Sequence, residues 1–273
     1  MIPRSVRIAG HFGELLQGRI GRNGPLALLT LPCAILGVSA TLTAGQGLTL
    51  TDASAPIMPR ARADTLLNLL KLSLQGTLDF QAEMPPGGGA GVSTAALVAL
   101  AHLAGWQGDP MDLARACIAV EGASDPLMLP NPAQTLWASR QGEIVATLPP
   151  PPVMEVIGGF YGPPRRTDPS DTDFPDIADL VPQWHAAASA GDLTKAAALS
   201  SLSAQRTLTH RAAQTDPTAS LAVDLGALGY VIAHTGAARG LIFAPGKVPP
   251  DAAAALHAAG FRGVVQFHAG GGR

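Results

Sequence analysis

Apolar residues follow two rhythms along this chain. Over residues 35–43 they fall on alternate positions, and again at Leu78, Phe80, Ala82 and Met84, the period of a half-buried strand. Over 64–74 they fall at 66, 67, 69, 70, 72 and 74, which predicts a helix of moderate amphipathicity. The same reading predicts strands over 5–9, 26–31, 48–51, 153–160, 230–233, 241–243 and 263–267. Helices are expected over 94–104, 112–120, 177–188, 193–206, 219–228 and 251–259, with Gly105 as a stop and Gly191-Asp192 as stop and cap. Residues 162–176 read as a long surface loop, and 270–273 as a loose tail. Strands and helices mix without strict βαβ alternation, so the expected class is α+β.

Four consecutive prolines at 149–152 form a stiff segment and the best boundary between two halves, 1–150 and 151–273. The 273 residues suffice for one large domain or two closely packed ones. Hydrophobic residues make up 47% and charged ones only 14%, which excludes a disordered chain. A net charge of −2 without like-charge runs argues against nucleic acid or an anionic membrane as partner. Residues 1–10 lack the apolar core of a signal peptide, and the longest apolar run, 95–101, is far too short to span a bilayer. Cys33 and Cys117 have no metal-type spacing and are expected as reduced, buried thiols; the cytoplasm is the expected compartment.

The chemistry concentrates in residues 84–105. Gly87, Gly88, Gly89, Ala90 and Gly91 lead through Val92 to Ser93 and Thr94, then into an unbroken Ala/Leu/Val helix. Glycines let the backbone approach a ligand closely. The free N–H groups and positive dipole end of the following helix suit an anion, above all phosphate. The plainer alternative is a glycine turn capped by Ser93. No Gly-x-Gly-x-x-Gly follows the first strand, and no Gly-x-Ser-x-Gly elbow is present, so neither a dinucleotide fold nor serine hydrolysis is supported.

With those residues in hand, several segments line up with one superfamily. The stretch from Pro85 to Thr94 resembles the glycine-loop motif of the GHMP kinases, usually Pro-x-x-x-Gly-Leu-Gly-Ser-Ser-Ala. Gly13-Glu-Leu-Leu-Gln-Gly18 is similar to the Gly-Glu-Leu-x-Gln-Gly signature of the L-threonine kinase branch, which serves cobalamin side-chain synthesis and is often labelled propanediol-utilisation protein. Glu121-Gly-Ala-Ser-Asp125 resembles that branch's Glu-Pro-Thr-Asp segment, and Ala233-His-Thr-Gly236 its Ala-His-Ser-Gly segment. The matches fall in family order and spread over most of the chain.

The resemblance implies a first half like the second domain of ribosomal protein S5, a ferredoxin-like second half, and ATP between them. It implies transfer of the γ-phosphoryl group of MgATP to a hydroxyl, with L-threonine as the expected acceptor. Pro85, Gly87–Gly91 with Ala90, Ser93 and Thr94 would hold the nucleotide; Ser93 and Glu121 would hold Mg²⁺. Asp125, Ser93 and Glu14 would be catalytic, and Glu14, Gln17, Asp125, Thr235 and Gly236 would contact the substrate. Read from spacing alone, Glu121 and Asp125 share a face if their helix continues, and a cation would relieve their repulsion. Glu14 reads either as a substrate contact or as a charge at a helix start. His11 reads as structural, Arg239 as either a phosphate contact or a solvated loop residue, and Arg165-Arg166 as part of a mobile loop.

The chain also departs from the pattern. Gly88 stands where the branch usually has lysine, Ala96 where it has aspartate, Val92 where the first loop serine falls, and no proline precedes Gly10. A lost lysine removes a point charge from the phosphates. Another hydroxy-amino acid or amino-alcohol as acceptor, or a non-catalytic binder of metabolite or nucleotide, therefore stands beside the threonine kinase reading.

Overall fold

The computed structural model describes residues 3–52, 57–165, 167–211 and 215–271. Its first two strands are longer than their periodicity suggests. β1 (Arg4–Arg19) and β2 (Leu26–Thr43) pair antiparallel over nearly their full length. The predicted break after Ala9 is absent, and the two strands expected at 26–31 and 35–43 are one. The reason is burial: residues 10–18 of β1 are all covered, so the in–out alternation that marks a strand disappears there. Register shifts at Ala9/Gly10, His11/Glu14 and Glu14/Leu16 bend β1 just where those buried residues lie.

β3 (Leu48–Asp52) and β4 (Gly76–Ala82) pair in parallel across α1 (Arg60–Leu69), a crossover helix that starts four residues earlier and stops five earlier than expected. β4 delivers the glycine loop to α2 (Val92–Leu103). α3 (Pro110–Glu121) starts from Asp109, whose carboxylate accepts the Met111 N–H, and ends at Gly122 in the left-handed region. The hairpin β5 (Thr135–Ala138) and β6 (Glu143–Thr147), off the edge of β2, was not anticipated; β6 is mostly exposed and β5 fully buried, so neither alternates.

β7 (Met154–Phe160) follows the prolines. Then come α4 (Leu180–Ser189), α5 (Leu193–His210), α6 (Thr218–Asp224), β8 (Gly229–Ile232), β9 (Ala238–Phe243), α7 (Ala252–Ala258) and β10 (Arg262–Ala269). The sheet order is β10-β7-β9-β8-β1-β2-β4-β3. Its last four strands in chain order run fourth, first, third, second, with helices after the first and third, the β-α-β-β-α-β arrangement expected of a ferredoxin-like half. β8 meets β1 at one register pair, Ile232 opposite Glu14, and this seam joins the strands before residue 150 to those after it. The expected tail is tied down at its start: the Gly271 N–H donates to the Pro151 carbonyl.

α2 is the core helix. Every residue from Thr94 to Ala101 is buried, as are Leu103 and Val92, and the helix packs on β1 and β2. Fully covered Leu97 and Leu100 each contribute about 1.5–3 kcal/mol by leaving water. A helix this deeply embedded has a fixed N-terminus. Cys33 and Cys117 are free and buried. No helix among the described residues is long and apolar enough to cross a membrane.

Candidate active site

Three segments hold the glycine loop from three sides. Within it, the Gly88 N–H turns back to the Pro85 carbonyl at 2.9 Å. The Gly88 carbonyl accepts from both Ala237 and Ala238, at 2.9 and 2.8 Å, and the His11 N–H donates to Ala90 at 3.2 Å. Gly89 has φ +74°, and a Cβ there would lie 2.3 Å from the Thr235 carbonyl oxygen. No side chain fits, so the loop and residues 235–236 touch backbone to backbone.

Gly91 is the N-cap of α2 and lies in the left-handed region, with no side-chain cap. Ser93 therefore does not cap the helix. Among the described residues no side chain caps this end, and the first-turn N–H groups of Val92, Ser93 and Thr94, with the dipole, suit an anion there. That end opens into a cavity of about 160 Å³ lined by Gly87 to Thr94, His11, Glu14, Arg62, Glu121, Asp125, His234 and Thr235 among others.

At one wall, Ser93 Oγ contacts the Glu121 carboxylate, and Arg62 Nη1 from α1 reaches both, at 2.6 Å from Glu121 Oε1 and 3.2 Å from Ser93 Oγ. Because α3 ends at Glu121, Glu121 and Asp125 do not share a helix face; the expected side-by-side carboxylates are separated by a turn. Asp125 is held instead by Thr94, whose Oγ1 accepts the Asp125 N–H at 3.2 Å. The Trp137 indole, on β5, donates to the Ser124 carbonyl at 2.7 Å, and the Ser124 N–H donates to Ser139 at 2.9 Å. The unforeseen hairpin thus sets the loop that carries Asp125.

At the floor, His11 lies between two carboxylates. Its Nε2 is 3.4 Å from Asp125 Oδ2 and its Nδ1 is 3.6 Å from Glu14 Oε1. Burial alone would lower the His11 pKa, but the charges of Asp125 and Glu14 outweigh it and push it up to about 9. Asp125 is held below the usual carboxylate range: burial works against this, and the His11 charge overcomes it. Burial raises the Glu14 carboxyl to about 8 despite His11. At neutral pH the floor therefore holds an imidazolium, an aspartate anion and a protonated Glu14. Glu14 sits inside β1, not at a helix start, and its Oε2 is buried with no partner among the described residues. His11, read from sequence as structural, faces the cavity; its place just before the Gly13–Gly18 motif was the available signal.

His234 completes the far side. Its ring stacks on Phe174 at 4.2 Å, and both ring nitrogens are buried without a partner among the described residues. Burial, then Arg140 and Arg211, push its pKa down to about 3, so the imidazole is neutral. The 162–176 loop is no free strap here: the Arg165 N–H donates to the Gly87 carbonyl at 2.8 Å and Thr167 pairs with Thr235 at 2.7 Å. Arg166 lies outside the described residues.

Three residues expected at the site stand apart from this cavity. Gln17 is buried between β1 and α5: its N–H donates to Ser203 Oγ and its side chain to the Ile232 carbonyl. Gly236 packs on Gly89 behind the loop. Pro85 borders a second, more apolar cavity of about 860 Å³, which shares Ile57 and Pro86 with the first. Arg239 is neither a phosphate contact nor solvated; it lies on β9 and pairs with Asp216 at 2.7 Å, both nearly buried. Arg62 carries no sequence signal, because only tertiary folding brings α1 to the helix end.

No protein-family profile and no curated protein matches the chain. Solved structures do. A mevalonate kinase from L. major superposes with a TM-score of 0.65 at 14% identity, covering 98% of this chain and 96% of that one. A phosphomevalonate kinase from Streptococcus pneumoniae gives 0.66 at 14% identity, covering 98% and 100%. The fold is that of the GHMP kinases. A homoserine kinase from Cytophaga hutchinsonii gives 0.60 at 16% identity, covering 98% and 94%. At such identities the likeness concerns the fold alone.

Proposed function

We propose that the protein is a cytoplasmic, MgATP-dependent kinase that phosphorylates the hydroxyl of a small molecule, with L-threonine as acceptor and O-phospho-L-threonine as product. One observation carries the reading. A buried helix presents an uncapped N-terminus, a hydroxyl–carboxylate pair and a charged aspartate to the same cavity. Phosphoryl transfer asks for this combination, because positioning and charge neutralisation supply most of its catalysis.

The roles follow from the positions. The backbone N–H groups of the loop and of the first turn of α2 hold the phosphates. The apolar second cavity, on the far side of Pro86, takes the base. Ser93 and Glu121 would hold Mg²⁺, which needs only one or two oxygens from the protein. Bound there, Mg²⁺ supplies charge neutralisation and alignment of the phosphates.

Asp125 orients the acceptor hydroxyl and accepts its proton as the oxygen bonds to the γ-phosphorus and the bond to the leaving ADP oxygen breaks. His11 holds Asp125 ionised. Glu14, whose Oε2 is buried, fits the ammonium group of an amino acid: the ligand's positive charge would favour ionisation of the carboxyl, its proton leaving to water, and the resulting carboxylate would pair with the ammonium. Glu14, His234 and Thr235, from the two segments that resemble the threonine kinase branch, line the cavity beside His11 and Asp125. Residues 1–150 then carry the nucleotide loop, and 151–273 close the cleft over it.

The test is acceptor-dependent ADP release from MgATP with L-threonine, L-serine, L-homoserine and ethanolamine. Threonine-dependent release that disappears in Ser93→Ala and Asp125→Asn, both still folded, supports the reading. Tight MgATP binding without release for any acceptor points instead to a nucleotide-binding regulator.

A further inference from the structure

The glycine loop carries no cationic side chain of its own. Five residues from Gly87 to Gly91 offer only backbone and one methyl group. A triphosphate needs compensating positive charge beyond N–H dipoles, and the cavity is lined by just two Arg or Lys residues among those described, Arg62 and Arg165. Arg62 is the one at the α2 N-terminus. In this structure a single nitrogen, Nη1, bonds both Glu121 and Ser93, the two oxygens that fit Mg²⁺.

We propose that Arg62 is the phosphate-binding cation of this site, parked on Ser93 and Glu121 until nucleotide and metal enter. The inference rests on the nucleotide reading above. A guanidinium and a divalent cation cannot occupy the same pair of oxygens, since both carry positive charge and both need the Glu121 carboxylate. Metal binding therefore displaces the arginine. The guanidinium then stands within a side chain's reach of the phosphates that ride on that metal, and its fork geometry suits phosphate oxygens. The side chain is free to make the move: it is 34% exposed, while Glu121 is 9% exposed and stays in place. Its helix is anchored elsewhere. Arg60 pairs with Asp64 and donates to the Leu48 carbonyl at 2.6 Å, so α1 does not depend on Arg62 for its position. The arginine thereby does two jobs. It neutralises a buried carboxylate when no metal is bound, and it supplies from α1 the charge that the loop lacks.

The two jobs predict opposite effects of one substitution. Arg62→Gln keeps a hydrogen-bonding side chain but removes the charge. Without nucleotide, Mn²⁺ binding measured by electron paramagnetic resonance should tighten roughly tenfold, because one cation competing for Glu121 is gone. Binding of the magnesium complex of the non-hydrolysable ATP analogue AMP-PNP, measured by calorimetry, should weaken roughly 10- to 100-fold, the worth of a charge-assisted contact. Arg62→Lys should fall between the parent and Arg62→Gln in both. A merely structural ion pair would shift the two affinities together or neither, and either result overturns the proposal. A parent chain that binds no nucleotide would sink the nucleotide reading itself; unchanged Mn²⁺ affinity in Arg62→Gln would sink the parking of Arg62 separately.

Discussion

Replacing Asp125 by asparagine tests the charge arrangement at the cavity floor. The substitution keeps the side-chain size and removes one negative charge 3.4 Å from His11 Nε2. At an effective dielectric of about 20, that pair interacts by about 5 kcal/mol, and partial exposure of Asp125 reduces it to roughly half. A loss of about 2–3 kcal/mol corresponds to roughly two pKa units, so His11 should fall from about 9 toward neutrality, with Glu14 still beside it. Histidine-selective NMR titration of the parent and variant reads this directly. Turnover should drop by about 10²–10⁴, the usual range for losing a group that handles the reacting proton. The melting temperature at neutral pH should fall by several degrees, because the same pairing is lost from the folded state, while the Thr94 contact, which uses the Asp125 backbone, survives. A His11 resonance that titrates identically in both proteins would refute the argument, since the carboxylate would then not be what holds the imidazolium.

Three other outcomes follow from the same geometry. Gly89→Ala should cost roughly 2–4 kcal/mol in urea denaturation, combining left-handed strain with a Cβ placed 2.3 Å from the Thr235 oxygen; a cost under about 1 kcal/mol would contradict the backbone contact. Stability should fall as pH rises from 6.5 to 9. The folded state keeps protons on Glu14 from pH 4.5 to about 8 and on His11 from 6.5 to about 9 that the unfolded chain has released, so denaturant midpoints that rise over this window would contradict both assignments. Arg239→Leu strands a nearly buried Asp216 and should destabilise by roughly 3–5 kcal/mol while leaving the acceptor KM unchanged; a selective rise in KM would return Arg239 to the site.

The sequence showed the glycine loop and its helix because their signal is local: glycines whose φ values only glycine adopts easily, then a run buried on every side. The α+β class and the ferredoxin-like half were legible from element order and resemblance. The long β1 was not, because burial on both faces erases alternation, and a Gly-Glu-x-x-Gln-Gly stretch inside a strand looks like a loop. The β5–β6 hairpin stayed hidden for the opposite reason: one strand is all buried, the other nearly all exposed. At the site, Glu14, Gly87–Gly91, Ser93, Thr94, Glu121 and Asp125, singled out from motifs, line one cavity, whereas a lining residue brought in by tertiary contact alone was not singled out. Arg62 reaches Glu121 across 59 positions of sequence. Gln17, inside a motif, turns its side chain to the β8 backbone instead of the cavity, because bulges in β1 decide which way each residue faces.

The central claim is that this cavity moves a phosphoryl group from MgATP to a small hydroxyl compound. ³¹P NMR of the protein with MgATP and L-threonine tests it most directly, with L-serine, L-homoserine and ethanolamine in parallel samples. The account predicts a new phosphomonoester resonance with threonine, growing with the ADP signals and absent without protein. ATP left intact with every acceptor, together with no heat of MgATP binding by calorimetry, would contradict it.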